Sequence, residues 1–337
     1  MIWPEDFIDQ IICGNNLDVL KTFPSESINC CITSPPYWAL RDYGVEGQLG
    51  LESTFQEYLD KLIAIFDEVK RVLRKDGTCW VVLGDTYSGS GCGTNDYRTE
   101  KSKSIQGKGK NRNLYKTGGI AQKITNVVQA KSLLQIPSRF AIQMTDHDWI
   151  LRNEIIWYKP NCLPSSVKDR FTIDFEKVFF FVKNKKYWFE QQFEPIKLDS
   201  IKRERRGNKD NKYSRDNYLI KGVHANTMSQ PREYKGYDNI EEEMQSRKGR
   251  NKRCVWQIPT KPFREAHFAV FPPTLVVPMI KAGCPENGIV LDPFIGSGTV
   301  AEVALKLNRH FIGIELSPEY CEMAKKRIKE IQPQLVF

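Results

Sequence analysis

Short apolar runs alternate with amphipathic segments toward the carboxyl end of the chain. Residues 288–291 form one such run, and a Gly-Ser-Gly turn at 296–298 follows it. Apolar residues then recur at helical spacing over 300–307, a second apolar run spans 310–315, and 318–331 is again amphipathic. This order predicts a strand, a glycine loop, a helix, a second strand and a last helix, which together form a βαβ unit.

The same alternation occupies the N-terminal half. Apolar runs at 28–33 and 78–83 predict strands, and they flank an amphipathic helix from Phe55 to Leu73. The remaining predicted elements are a helix that begins at Ile136 and strands at 149–157 and 177–182. Strands that alternate with helices imply a mostly parallel sheet covered on both faces. The predicted fold is therefore α/β and Rossmann-like.

Two stretches break this rhythm and carry the excess positive charge. The chain has a net charge of +9; residues 86–131 and 197–253 each contribute +7, and the remainder is negative at −5. We predict a mobile basic loop at 86–125 and an inserted target-recognition lobe at 194–254, with the catalytic core formed by 1–193 and 255–337. Basic clusters of this kind suit a polyanion such as double-stranded DNA, although solvated insertions would show the same charge.

Composition excludes several classes of protein. No apolar run approaches the roughly 20 residues that span a bilayer, and the acidic N-terminus has no signal-peptide pattern. The nine cysteines lack C-x-x-C spacing and the four histidines are dispersed, so neither a disulfide framework nor a metal site is expected. These features favour a cytoplasmic protein without a membrane partner.

The glycine turn has the features of a nucleoside site. Gly296, Ser297 and Gly298 let the backbone approach a ligand closely, and the following helix offers free N–H groups. Glu315 ends the next strand, about 20 residues beyond the turn, where a carboxylate can accept hydrogen bonds from two ribose hydroxyls. The combination predicts a nucleoside cofactor, whereas a lone Gly-x-Gly turn would not.

A second cluster, Ser34-Pro35-Pro36-Tyr37, directly follows the strand at 28–33. Two consecutive prolines give up two backbone donors and stiffen the turn, so it presents bare carbonyls at the edge of the sheet. Acceptors at the Ser34 hydroxyl and the Pro35 carbonyl suit a weakly nucleophilic amine, because they would localise its lone pair. Tyr37 offers a flat face for a base swung out of a duplex.

These two clusters together resemble the amino-methyltransferases of DNA. The order of the catalytic tetrapeptide, the recognition region and Asp292-Pro293-Phe294-x-Gly-Ser-Gly-Thr is similar to that of the permuted beta group. The resemblance implies S-adenosylmethionine as cofactor and Ser34, Pro35, Pro36 and Tyr37 as catalytic residues. It implies cofactor contacts from Asp18, Asp292, Phe294, Gly296, Ser297, Gly298, Thr299, Glu315 and Phe271. It also places Lys159, Arg170 and Glu176 beside the base pocket.

The sequence favours one target base and leaves alternatives for the base, the substrate class and the protein partners. Members with an initial Ser in the tetrapeptide resemble the cytosine-N4 enzymes, so we expect methylation of cytosine N4, with adenine N6 as the alternative. No Pro-Cys pair is present for a cytosine-C5 mechanism. RNA or protein methylation and a non-catalytic DNA-binding role are alternatives of other classes. A cognate restriction endonuclease and the choice between monomer and homodimer stay open.

Overall fold

The structure is a computed structural model, and it describes residues 3–40, 42–88, 128–196, 249–260 and 271–331. The chain divides into two units, Met1–Glu190 with Cys254–Phe337 and the inserted Gln191–Arg253. Most of the predicted basic loop, from residue 89 onward, lies outside the described residues, as does 197–248 of the predicted recognition lobe.

The first unit is built on an eight-stranded sheet. Its strands in chain order are β1 Gln10–Cys13, β2 Ile28–Thr33, β3 Leu73–Leu83, β4 Ile150–Tyr158, β5 Phe175–Val182, β6 Val255–Gln257, β7 Ile289–Asp292 and β8 His310–Glu315. Their order across the sheet is β1-β8-β7-β2-β3-β5-β4-β6. Every pair is parallel except the two that β5 forms with β3 and β4. The mostly parallel sheet expected from the sequence is confirmed.

The single reversed strand has a consequence for function. The carboxyl ends of the seven parallel strands meet at one edge of the sheet. Because β5 runs the other way, its first residues, Phe175 and Glu176, lie at that same edge. Side chains from the start of β5 and from the ends of β2, β3 and β4 can therefore share one site.

Helices cover both faces of this sheet. They are α1 Asn16–Thr22, α2 Phe55–Val72, α3 Ile136–Asp146, α4 Pro273–Gly283, α5 Thr299–Lys306 and α6 Pro318–Ile331. Buried residues of α1, α2 and α3, among them Leu20, Leu59 and Phe140, belong to one hydrophobic cluster. Those of α4, α5 and α6 belong to a second cluster. Burial of these apolar faces holds the helices on the sheet, and no helix in the described ranges is both long and apolar enough to cross a bilayer.

Most predicted elements are present, with shifted ends. The helix predicted from Phe55 to Leu73 ends at Val72. The strand predicted at 78–83 begins at Leu73, because Leu73 pairs with Ile28 of β2; after a register shift, pairing with β2 resumes at Thr78. The sequence analysis did not assign α4, which carries Pro273 in its first turn and Pro278 inside it. Prolines in these positions are typical of helix boundaries in a sequence.

The described part of the second unit is a short antiparallel pair. Phe193–Glu194 pairs with Arg250–Asn251. Glu194 Oε1 accepts a hydrogen bond of 2.7 Å from Arg253 Nε and forms an ion pair with Arg250 Nε at 2.8 Å. Burial raises the pKa of Glu194, but the two arginines outweigh burial and hold this pKa below its usual value. These contacts bring together the two ends of the inserted segment.

Candidate active site at the carboxyl edge of the sheet

The Ser-Pro-Pro-Tyr turn begins directly after β2, at the carboxyl edge of the sheet. The Pro36 carbonyl accepts a hydrogen bond of 2.9 Å from the hydroxyl of Tyr58, a buried residue of α2. No backbone donor among the described residues bonds the Pro35 carbonyl. The turn is thus anchored at one carbonyl and leaves the preceding carbonyl, beside Ser34, available as an acceptor.

Tyr37 is held from two sides. Its hydroxyl donates a hydrogen bond of 2.7 Å to Glu176 Oε2, and the other oxygen of Glu176 pairs with Lys159 Nζ. Its ring lies against Gly84, where an added Cβ would come within 2.5 Å of Cε2. Only glycine fits at position 84 without displacing the ring. The backbone of Gly84 therefore lies directly against the Tyr37 ring.

Burial and the neighbouring Glu176 carboxylate raise the pKa of Tyr37 well above its ordinary value. The Ser34 hydroxyl opposes the shift, because a hydrogen bond donated to the tyrosine oxygen favours the phenolate. Tyr37 therefore stays a neutral phenol throughout the physiological range. Ser34 and Tyr37, both predicted as catalytic from the sequence, lie three residues apart in the turn that follows β2.

The glycine turn follows β7 at the same edge. Gly296 and Gly298 have φ angles of +52° and +84°, in the left-handed region. A Cβ at Gly298 would lie 3.3 Å from the Ala324 Cβ of α6, whereas the corresponding space at Gly296 is open apart from the Phe294 carbonyl at 3.9 Å. Gly298 is required for helix packing, and the open side of Gly296 leaves room for a ligand.

Glu315 ends β8 next to this turn. Its Oε2 accepts the Gly296 N–H at 2.9 Å and its Oε1 accepts the Ser317 N–H at 2.9 Å. Burial raises the pKa of Glu315, and these backbone hydrogen bonds partly offset the shift. Each carboxylate oxygen retains a lone pair for a further donor. Two acceptors beside an open glycine backbone fit the ribose of a nucleoside cofactor.

Asp292 joins the two predicted clusters. Its Oδ1 accepts the Thr33 hydroxyl at 2.6 Å and the Phe294 N–H at 3.0 Å. Thr33 is the residue immediately before Ser34, so this buried contact ties the Ser-Pro-Pro-Tyr turn after β2 to the glycine turn after β7. Burial raises the pKa of Asp292 to about 7, although both hydrogen bonds lower it.

The hydroxyls of Ser297 and Thr299 both accept hydrogen bonds from a side chain of the protein. Arg327 Nη1, from α6, donates to Ser297 O at 3.1 Å, Ser297 Oγ at 3.3 Å and Thr299 Oγ1 at 3.1 Å. Arg327 also pairs with Glu302 of α5. Both hydroxyl-bearing residues are buried, so we propose that they contribute to cofactor binding through their backbone. Sequence analysis missed Arg327, which has no motif of its own.

The hydrogen bonds that define the site include neither Asp18 nor Phe271. Asp18 is exposed in the first turn of α1, which follows β1, the strand beside β8. In the described parts of the chain it is Asn16 that reaches the cofactor turn, since its Nδ2 donates to the Pro293 carbonyl at 3.4 Å. Phe271 is half-buried against the second hydrophobic cluster. A cofactor role for Asp18 and Phe271 stays a prediction.

Replacement of the two turn glycines should have different effects, one mainly on cofactor binding and the other mainly on stability. We expect Gly296→Ala to weaken S-adenosylmethionine binding at least tenfold, because the added methyl enters the open space beside Glu315. Gly298→Ala should instead lower stability more, because its methyl meets α6 in addition to the unfavourable left-handed φ angle that both positions share. Cofactor titration and urea unfolding of both variants test this; equal effects of the two substitutions on both measurements would contradict it.

The raised pKa of Asp292 predicts that the stability of the folded protein falls as the pH rises. A carboxyl whose folded pKa is about 7 binds its proton more tightly than in the unfolded chain, where the value is about 3.9. Its contribution to stability is therefore lost as pH rises from about 4 through 7. Asp292→Asn keeps an acceptor for Thr33 and Phe294 and removes this loss. The stability advantage of the variant, measured by urea unfolding without cofactor, should grow by about 2 kcal/mol between pH 5 and 8; a pH-independent difference would refute the assignment.

The chain is similar to known proteins along almost its whole length. The DNA methylase family of the N6/N4 type matches residues 28–326. The Type II methyltransferase M.XycI of Xanthomonas campestris pv. cyanopsidis is 38% identical over 316 residues, which cover 94% of this chain and 86% of that protein. M.Cfr9I of Citrobacter freundii is 36% identical over the same shares of the two chains.

Solved structures show the same fold. The PvuII DNA methyltransferase, described as cytosine-N4-specific, has a TM-score of 0.56 at 20% identity and covers 96% of this chain and 91% of its own. A DNA modification methylase from Thermus thermophilus, in complex with S-adenosylmethionine, has a TM-score of 0.53 at 20% identity over 96% and 94% of the two chains. At this identity the likeness concerns the fold alone.

Proposed function

The chain belongs to the N6/N4 DNA methylase family, and from this membership we propose that it methylates the N4 amino group of cytosine in DNA. It is an S-adenosylmethionine-dependent DNA methyltransferase with an α/β methyltransferase fold. The observation that carries the finer proposal is the acceptor pair of Ser34 and Pro35 beside the glycine turn. The Thr33–Asp292 hydrogen bond fixes the two turns relative to each other.

Ser34 and Pro35 would act by binding and orienting the exocyclic amine of the target base. An exocyclic amine on a base is a poor nucleophile because its lone pair is delocalised into the ring. Two hydrogen bonds, from the amine to the Ser34 hydroxyl and to the Pro35 carbonyl, would draw the nitrogen toward tetrahedral geometry and localise the lone pair. The stiffness of the two prolines keeps these acceptors in place before the substrate arrives.

When bound, S-adenosylmethionine supplies an electrophilic methyl group on its sulfonium. Gly296 and Glu315 would hold the nucleoside part, with the Glu315 oxygens on the ribose hydroxyls. In the transfer the amine nitrogen forms the new bond to carbon while the carbon–sulfur pair stays on sulfur. The methylated amine then loses one proton to water, since the described residues of the site include no side chain that is suited to act as general base.

Cytosine N4 is preferred because the tetrapeptide begins with serine, as it does in the cytosine-N4 enzymes that this chain resembles. We further propose that 194–254 reads the DNA sequence. M.XycI and M.Cfr9I are Type II methyltransferases, so a cognate restriction endonuclease is the partner we propose.

The base is identified by mass spectrometry of nucleosides from DNA that has been incubated with the protein and isotopically labelled S-adenosylmethionine. The proposal requires label in N4-methylcytosine. Label in N6-methyladenine would retain the cofactor and the site but overturn the interpretation of Ser34. If no DNA of varied sequence were labelled while RNA was, the substrate class itself would be wrong.

A further inference from the structure

Exposed apolar side chains are concentrated on the connection between β4 and β5. Of the eleven exposed large hydrophobic residues in the described ranges, five lie within 163–175. They are Leu163, Val167, Phe171, Ile173 and Phe175, and Phe171 is the most exposed of them at 97%. Single apolar side chains are ordinary on a protein surface, whereas a concentration on one connection indicates an interaction surface.

The residues just before Phe171 are held by side-chain contacts. Asp169 Oδ2 pairs with Lys131 Nζ at 2.7 Å. The guanidinium of Arg170 lies over the Tyr87 ring, 3.4 Å from its centroid. Phe171 follows these two residues directly and yet lies almost wholly in solvent. The connection therefore presents this ring outward from an anchored position.

This connection starts and ends at the carboxyl edge of the sheet, where β4 ends and β5 begins. The Lys159 N–H donates to the Asp174 carbonyl at 2.7 Å and so joins the two ends. Glu176, the second residue of β5, accepts the hydrogen bond from the Tyr37 hydroxyl. Five residues of extended chain span at most about 18 Å, which limits the distance between the Cα atoms of Phe171 and Glu176. Phe171 is thus near the turn that we propose receives the target base.

We propose that Phe171 inserts into the DNA duplex and fills the space that the target base leaves when it swings out. This inference rests on the proposed function, because an enzyme that acts on a base within a duplex must first extrude that base. Phenylalanine is among the side chains that proteins insert between base steps. Its ring would replace part of the stacking that the target base gives up, and so stabilise the extruded state.

The charges around Phe171 suit a nucleic acid. Lys168 and Arg170 are both exposed, and the charge of Asp169 between them is countered by Lys131. In a duplex the stacked bases are flanked by phosphates on both strands. An apolar ring with two cations beside it matches this arrangement, since the cations can contact phosphates while the ring meets the bases.

The test compares two duplexes that differ only in the base opposite the target. In the first the target base is paired; in the second it faces a mismatched base, so that its extrusion costs less free energy. We expect Phe171→Ala to lower the single-turnover rate of methyl transfer at least tenfold on the paired duplex and less than threefold on the mismatched one. The Kd for S-adenosylmethionine should stay within twofold of wild type. Phe171→Leu keeps an apolar side chain and should lose less than Phe171→Ala on the paired duplex.

Ile142→Ala is the control for the loss of an exposed apolar side chain. Ile142 is 61% exposed on α3, and its variant should methylate the paired duplex within twofold of wild type. Equal losses from Phe171→Ala on the two duplexes would overturn the inference, because Phe171 would then act after extrusion. An unchanged rate on the paired duplex would also overturn it and would assign the apolar surface to another partner. Absence of a methylated base with the wild-type protein would instead refute the proposed function.

Discussion

Tyr37→Ala should reduce methyl transfer about 100-fold while the affinity for S-adenosylmethionine changes less than threefold. We propose that the ring stacks on the flipped base, and such stacking contributes roughly 1–3 kcal/mol. The same substitution removes the hydroxyl that donates a hydrogen bond to Glu176. No contact in the described structure joins the Tyr37 side chain to the Gly296 turn, so cofactor binding should be spared. Single-turnover methylation and cofactor titration measure the two effects.

Cofactor binding itself serves as the folding control for this variant. Tyr37 packs partly against the first hydrophobic cluster, so its truncation can lower stability without any catalytic role. A protein that still binds S-adenosylmethionine normally has retained the site around β7 and β8. If methylation and cofactor affinity fell by the same factor, Tyr37 would be a packing residue and its assignment to the base pocket would be wrong.

Glu315→Gln should weaken S-adenosylmethionine binding by about two orders of magnitude. In wild type both carboxylate oxygens accept backbone N–H groups and keep lone pairs for ribose hydroxyls. The amide of glutamine faces one of these N–H groups with a donor, which disrupts the turn, and it loses the charge that strengthens the remaining hydrogen bonds. Hydrogen bonds to charged groups are worth roughly 1.5–3 kcal/mol each, so the loss of two supports this magnitude.

Glu319→Gln is the control for Glu315→Gln. Glu319 is exposed in the first turn of α6, so its change alters the charge near the site without touching the Gly296 turn. Calorimetric titration with S-adenosylmethionine should find its Kd within twofold of wild type. If both variants bound the cofactor equally well, Glu315 would hold the turn without serving the ribose.

The strands that the sequence predicts well are those buried on both faces. Residues 28–33 and 310–315 are almost continuously apolar, and each became a strand with the expected bounds. The four-residue β1 and the seven-residue α1 are too short for periodicity to identify. In α4 the internal Pro278 concealed a helix that tertiary packing sustains.

The parts of the site that the sequence could predict are those in which a short turn motif contains the functional groups. The segments at 34–37 and 296–298 both follow strands, and their local geometry depends on prolines and glycines that a sequence displays. The chain from Lys159 through Glu176 to Tyr37 depends instead on the reversed direction of β5, which no periodicity indicates. The resemblance placed Lys159 and Glu176 near the base, but only the fold shows what they bond.

A crystal structure of the protein with S-adenosylhomocysteine and a duplex that it methylates would test the amine-holding site most directly. We predict that the target cytosine is swung out of the duplex, with its N4 nitrogen within about 3.2 Å of both Ser34 Oγ and the Pro35 carbonyl oxygen. A target base that met neither acceptor, with its amine instead bonded to other groups, would contradict it.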